Sequence, residues 1–339
     1  MNHIEIISAL LSKINPSKIV IIADANLMQL CPGYFNFIPS HFSPYMLAIP
    51  SGEKSKSLTE ATYIWQNMLE NNFDKDSLLI NFGGGMICDL GGFVAANYKR
   101  GIRFLNIPTT LLAMIDAAIG GKNGLNLHHI KNAIGSIHLP EEVIIDTQFL
   151  MTLSPLQLLN GWGELIKYAL IGDQVLWQAI NKMERIHYKS IKKEWIDRCI
   201  QFKNRVVEED LYDTGPRRIL NFGHTIGHAL ESLSFDKNNL LPHGHAIAIG
   251  MVCESYLSYL HHHVSLEDAT TIKQYIQRLY FTPTLSELDF KTLIKHVRAD
   301  KKNSHETINI TLLDALGKAS PNHTVTEEEV IQSLQWLQQ

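Results

Sequence analysis

His224 and His228 stand four apart in RRILNFGHTIGHALE (Arg217–Glu231), and His243 and His245 follow in HGHAIAIGM (His243–Met251). Residues four apart share a helix face, so two imidazoles can converge on one ion. A lone buried histidine is usually structural, but four of them flanked by glycine point to a divalent-metal site. His261-His262-His263 reads instead as a solvated helix end. A catalytic zinc takes three protein ligands and leaves a position for substrate. Glu164, three residues before Lys167 in GWGELIKYAL (Gly161–Leu170), would complete such a set with two of the histidines. Glu164 and Lys167 either form an ordinary surface ion pair or, with apolar Trp162, Leu165, Ile166 and Tyr168 around them, belong to the site.

The cations fall beside these motifs: Lys122, Lys131, Lys167, Lys203, Arg217, and Lys301 or Lys302. On a chain of net charge −4 that placement implies an anionic ligand carrying several charges, such as a phosphate with a carboxylate. In NFGGGMICDLGGF (Asn81–Phe93) a strand runs through glycines into a helix. Such a turn lets backbone approach a pyrophosphate at a helix N-terminus, or is simply a tight connection. In PSGEKSKS (Pro50–Ser57), Glu53 and Lys56 form a solvated charged turn or meet ribose and phosphate. Thr109 and Thr110 follow Pro108 and can cap a helix. Asp116 sits in an expected apolar helix where an unpaired carboxylate is costly, and Gly120-Gly121-Lys122 supplies a neighbouring cation; Lys131-Asn132 comes soon after.

The elements that must position these residues divide the chain. Near-continuous apolar runs at Lys18–Asp24, Tyr45–Pro50, Ser77–Phe82, Ile102–Pro108 and Glu141–Thr147 read as strands, with a helix over about Ser57–Asn71. Such strands separated by helices indicate a parallel sheet covered on both faces. From Ser154 onward the pattern is helical, as in Pro155–Leu170, Lys189–Asp210 and Thr270–Tyr280, with a short hairpin expected over Thr307–Ser320. The expected domains are 1–153 and 154–339.

The composition excludes several classes. With 45% hydrophobic and 19% charged residues, the 339-residue chain has ample core and is not disordered. Its negative charge argues against a nucleic-acid-binding protein. Four scattered cysteines make neither a ribbon-type zinc site nor a disulfide framework. No secretory leader is expected in MNHIEIISALLSKINPSK, and no apolar run reaches the ~20 residues of a membrane span. The expected setting is the cytoplasm, without membrane or nucleic-acid partners.

Taken in order, these segments resemble the 3-dehydroquinate synthase family of sugar-phosphate cyclases. The resemblance runs from about Asp24 to about Lys318 and is most specific in GGGMICDLGGFVAANYKRGIRFLNIPTTLLAMIDAAIGGKNGLN and LNFGHTIGHALE. It implies a dinucleotide-binding α/β domain with a parallel sheet, followed by an all-α metal-binding domain. It also implies bound NAD, zinc or cobalt, a homodimer, and conversion of a seven-carbon phosphorylated keto-acid into a carbocycle with loss of phosphate.

Carried over by motif, Asp24, Asn26, Glu53 and Lys56 would lie near the NAD adenosine, and Gly84, Gly85 and Asp89 at the pyrophosphate. Thr109 and Thr110 would line the same site. Asp116, Lys122, Lys131 and Asn132 would bracket the nicotinamide end and the substrate. Glu164, His224 and His243 would be the metal ligands. Arg100, Lys167, Lys203, Arg217, Asn221 and His228 would line the substrate pocket. The chain departs from the family pattern at His245 (usually Glu), Gly163 (usually Ala), Asn123 (usually Thr) and Ile130 (usually Gly). His245 is the departure that bears on the metal, as a neighbour of the ligands or a competing ligand.

Three other readings compete. Another sugar-phosphate cyclase would share most of this pattern, but such relatives tend to differ around Lys122 and Lys131, which this chain keeps. A metal-dependent alcohol dehydrogenase would need the metal site but not the lysine set. A degenerate nucleotide-binding protein is suggested by His245 alone.

Overall fold

The computed structural model of the chain describes residues 3–42, 44–128, 130–236, 241–282, 289–298 and 307–339. Its contacts divide it into two compact units, Met1–Ser154 and Pro155–Gln339.

In the first unit the apolar runs become β1 (Ile19–Asp24), β2 (Tyr45–Ile49), β3 (Leu78–Gly83), β4 (Arg103–Pro108) and a short last strand. They form one parallel sheet in the order β2-β1-β3-β4-last. Alternate residues Val20, Ile22, Leu47, Ile49, Leu79 and Phe104 face one core. Covering them are α3 (Leu58–Glu70), through Ala61, Ile64 and Met68, and α4 (Gly85–Asn97), through Ile87, Leu90 and Val94. Each such side chain contributes roughly 1.5–3 kcal/mol by leaving water. On the opposite face Phe82 stacks against Tyr34 and meets Phe35 and Phe149 edge-on. The short helix α2 (Ala25–Leu30) follows β1 directly.

Three elements differ from expectation. The opening segment, which carried no assignment, is α1 (His3–Ile14), burying Ile7, Leu11 and Ile14. The expected helix around Asp116 is a π-type turn, Ala113–Ala117, followed by an antiparallel hairpin of β5 (Lys122–Leu127) and β6 (Ile130–Ile137). The hairpin has a weak sequence signal because β6 is largely exposed and shows no clean alternation. The last strand, expected over Glu141–Thr147, is only β7 (Glu142–Val143). Beyond it Asp146 accepts the Gln148 N–H and opens a 3-10 stretch, Thr147–Thr152.

The second unit is helical: α5 (Pro155–Gly172), α6 (Gln174–Ile180), α7 (Lys193–Glu209), α8 (His224–Asp236), α9 (His243–Leu260), α10 (Leu266–Leu279), α11 (Phe290–Arg298) and α12 (Glu327–Trp336). The expected hairpin is present and extends further, as β8 (Ile308–Ala315) and β9 (Lys318–Val325). α9 is buried almost all round, the mark of a central helix. The Trp162 ring N–H donates to the Tyr275 hydroxyl, and the Tyr280 hydroxyl to the Leu159 carbonyl, tying α5 to the α10 region. Among the described residues no helix is long and apolar enough to cross a membrane.

Candidate functional site

In the first unit the strand order reverses at β1, with β2 on one side and β3 on the other. In such sheets the crevice outside the carboxyl ends of those strands takes the ligand. Asp24 closes β1 and Gly83 closes β3, paired in register with Pro108 at the end of β4. Gly84 then begins α4 with no side chain capping its first N–H groups, as an anion site at a helix N-terminus requires. A Cβ on Gly84 would come 3.1 Å from the Thr110 methyl, so the turn is already closely packed. The Thr109 N–H bonds the Gly83 carbonyl, and Thr110 Oγ1 accepts the Ala113 N–H as a cap. This edge fits a dinucleotide.

Around it runs a polar network. Asp24 accepts from the Asn26 and Leu27 N–H groups and from Ser51 Oγ, while the Asn26 side chain is exposed. Lys56 is buried and its ammonium is held by Asp89 and by the Asn132 side-chain oxygen. Lys56 is therefore a brace between three segments rather than a cation extended toward solvent. Asn126 Nδ2 donates to Glu53 at 2.8 Å, and Asn126 Oδ1 accepts the Asn132 N–H at 3.0 Å. Asn126, absent from the expected set, thus joins the hairpin to the Glu53 turn. Lys122 and Lys131 are exposed on that hairpin, and Asp116 is half-buried in its π-type turn rather than sunk in an apolar helix.

Arg100 is not brought to this edge. α4 spans 13 residues, about 20 Å at 1.5 Å per residue. Arg100 follows its far end, exposed and ahead of β4, at the opposite side of the sheet from Asp24 and Gly84.

In the second unit, α5, α8 and α9 carry the metal candidates. His224 and His243 are the first residues of α8 and α9, and Glu164 is wholly buried in α5. The Nε2 atoms of His224 and His243 lie 3.4 and 3.3 Å from one oxygen of Glu164. Donors sharing one tetrahedral ion at bonds of ~2.1 Å sit about 3.4 Å apart, so the set fits zinc or cobalt. The other ring nitrogens are engaged: His224 Nδ1 donates to the Phe222 carbonyl at 3.1 Å, and His243 Nδ1 meets Glu231 at 3.4 Å. Those partners leave each Nε2 for an ion. Burial disfavours the charged form of His243, but Glu164 and Glu231 outweigh it and raise its pKa to about 10.

His228 adds an exposed ring, its centroid 5.1 Å from that of His224 and 5.7 Å from that of His243. The ligand nitrogens of these three histidines all lie within 4.8 Å of one another. His245 is not among them. Its Nε2 is 2.6 Å from the Phe281 carbonyl oxygen and its ring meets Tyr280, so it does not compete as a ligand.

Lys167 is not a surface residue. It is buried, pairs with Glu164, and lies over the Tyr168 ring. Lys203 on α7 and Arg217 are also buried. Arg217 donates to the Leu211 carbonyl, and Asp210 accepts the N–H groups of Thr214, Gly215 and Arg217. Burial works against the Asp210 carboxylate, but those donors hold its pKa down to about 2. Asn221 Nδ2 is buried with no hydrogen-bond partner among the described residues, a donor left for an acceptor ligand. Lys301 and Lys302 lie outside the described residues.

Glu231 and Glu254 were also missed as site residues. Each stands out in sequence as a carboxylate in an apolar helix, which is the signal that marks them. The Asp210 and Asn126 contacts depend on turns that spacing does not reveal. Among the family departures, Asn123 is buried and its side-chain N–H groups tie the Gly121 and His138 carbonyls.

Two family models match the chain, described as 3-dehydroquinate synthase N-terminal over residues 46–160 and 3-dehydroquinate synthase C-terminal over residues 161–303. A protein of Parabacteroides distasonis named 3-dehydroquinate synthase is 38% identical over 331 residues, covering 97% of this chain and 94% of that protein. The fold is shared with 2-deoxy-scyllo-inosose synthase, solved with carbaglucose-6-phosphate, NAD+ and Co2+. That match has a TM-score of 0.82 at 22% identity and covers 98% of this chain and 94% of the other. It is also shared with 2-epi-5-epi-valiolone synthase of Streptomyces hygroscopicus, solved with NAD+ and Zn2+. There the TM-score is 0.82 at 23% identity, with 96% of this chain and 92% of the other covered.

Proposed function

Because the chain belongs to the 3-dehydroquinate synthase family, we propose that it converts 3-deoxy-D-arabino-heptulosonate 7-phosphate into 3-dehydroquinate and inorganic phosphate. It is then a carbon–oxygen lyase that uses NAD and a divalent metal, zinc or cobalt. The observation that carries the reading is the convergence of His224 and His243 on one oxygen of Glu164.

Bound NAD would supply a reversible oxidation of one substrate hydroxyl, making the adjoining C–H acidic and the phosphate a β leaving group. The metal on Glu164, His224 and His243 would supply Lewis-acid polarisation of substrate oxygens. Asp24, Glu53, Gly84, Gly85 and Thr109 hold the dinucleotide, with Lys56, Asp89 and Asn132 bracing the loops that shape its site. Lys167, Lys203 and Arg217 bind the phosphate and carboxylate in a buried setting, where fixed charges act most strongly. Asn221 donates to a substrate oxygen. The C–H electrons form the new double bond as the C–O bond to phosphate breaks, and the departing phosphate takes the proton. His228, beside the ligands and open to solvent, relays a proton to or from the substrate oxygens. Reduction, ring opening and an internal aldol closure complete the carbocycle.

The reading includes a homodimer, which sedimentation measures. It includes a cytoplasmic setting, which the unpaired, buried Cys88, Cys199 and Cys253 suit. The test of the reaction is phosphate release from the seven-carbon substrate with NAD and zinc or cobalt. Release that a chelator abolishes and metal restores is expected; release indifferent to the chelator would refute the metal's part.

A further inference from the structure

α9 is apolar over almost its whole length, yet Glu254 lies within it with no exposed surface. A carboxylate stripped of water is costly unless strong donors replace the solvent. Its donors include backbone N–H groups, that of Gly223 at 2.5 Å and that of Ile226 at 3.4 Å. They flank His224 at the start of α8, where an anion also meets the positive end of the helix dipole. The Gly223 N–H belongs to the same peptide group as the Phe222 carbonyl. That carbonyl accepts the Nδ1–H of His224 at 3.1 Å.

We infer that Glu254 is a positioning residue of the metal centre, acting on His224 through the Phe222–Gly223 peptide. Its charge polarises that peptide and strengthens the acceptor on His224. The ring is held with Nε2 toward Glu164, and that nitrogen becomes a better donor to the ion. Hydrogen bonds in series reinforce one another, and a carboxylate behind a ligating histidine raises its basicity. His243 has its carboxylate directly on the ring, in Glu231; His224 has one a single peptide removed. Gly223 permits this peptide orientation, and α9 packs closely against it. The Gly223 φ is +80°, and a Cβ there would come 2.5 Å from Met251 Cγ and 2.8 Å from the Ile247 carbonyl oxygen. This inference rests on the metal reading proposed above.

The test compares the parent protein, Glu254→Gln and Ser258→Ala, each measured for Co2+ affinity by chelator competition, for the Co2+ d–d spectrum and for thermal unfolding. Glu254→Gln keeps the shape and removes the charge. Its affinity is expected to fall about tenfold or more, the usual effect of losing a partner behind a ligand, with the bands displaced. Ser258, one turn along α9, is buried and accepts the Leu313 N–H. Ser258→Ala is expected to lower the melting temperature and leave affinity and bands unchanged. Parent-like affinity and bands in Glu254→Gln would overturn the inference. Should that variant not fold, Glu254→Asp decides. Its carboxylate stops one methylene short of Gly223, so a several-fold loss with displaced bands is expected, and parent values overturn the inference. A parent protein that binds no Co2+ would overturn the metal reading itself, and the inference with it.

Discussion

Gly163 on α5 and Gly244 on α9 touch backbone to backbone. A Cβ on Gly163 would fall inside the Gly244 carbonyl, and one on Gly244 inside the Asn160 carbonyl. Asn160 Oδ1 also accepts the Gly244 N–H at 2.6 Å. Each glycine adjoins a metal candidate, Glu164 or His243, so this contact sets how closely those side chains meet. Gly163→Ala should wedge the helices apart. Overpacking of that kind costs about 1–3 kcal/mol, and zinc affinity should fall together with the melting temperature. Chelator competition alongside thermal unfolding reads both; unchanged affinity would separate the helix contact from the centre.

His245 points elsewhere, its Nε2 on the Phe281 carbonyl. Burial lowers its pKa, so the neutral ring is the form that donates there. His245→Ala should lose about 1 kcal/mol of stability and keep its metal affinity within a factor of about two. His245→Glu would bring a carboxylate against a carbonyl oxygen; it should melt lower still while binding metal as the parent does. A collapse of metal binding in either variant would return the imidazole to the ligand set.

Asp210 organises the loop that carries Arg217, and its pKa is held down to about 2, below the ordinary 3.8. A depressed carboxylate stabilises the fold fully above its unfolded value and loses that effect as pH falls through the folded one. The stability difference between parent and Asp210→Asn should therefore be constant above about pH 5 and shrink between about pH 4 and pH 2. The same variant should raise KM more than it lowers kcat, because Arg217 loses its support. Denaturant unfolding across pH reads the first effect; a pH-independent difference would show that the carboxylate's charge is not what holds the loop.

Asn126 joins Glu53 to the backbone of Asn132. The two bonds together contribute roughly 1–3 kcal/mol, so Asn126→Ala should weaken NAD binding by about a hundredfold at most without altering metal affinity. Calorimetric titration with NAD measures this; parent affinity would mean the turn and hairpin hold their places unaided.

The parts legible in the sequence are those written in contiguous residues. The strand, glycine turn and helix at Asn81–Phe93 fold as read, and His224, His243 and Glu164 do converge. Spacing shows which residues share a helix face, so it brought Glu164 to Lys167, but it does not show burial, and the pair is internal rather than superficial. The β5–β6 hairpin was not legible because β6 is largely exposed and Leu125 and Ile134 alone join the core, too few to mark a period. Glu254 stands out as a carboxylate in an apolar helix, but its role does not. Its partners include backbone amides at the start of another helix, and no side-chain pattern announces an amide. Arg100 shows another limit: its motif does not reveal that it lies past α4, at the edge of its own sheet opposite Asp24 and Gly84.

The most direct test of the whole account is simultaneous measurement of phosphate and of absorbance at the NADH band, during turnover with substoichiometric NAD. The account predicts many phosphates released per bound dinucleotide, with no net rise in NADH. NADH accumulating in step with substrate consumed would contradict it and make the protein a dehydrogenase.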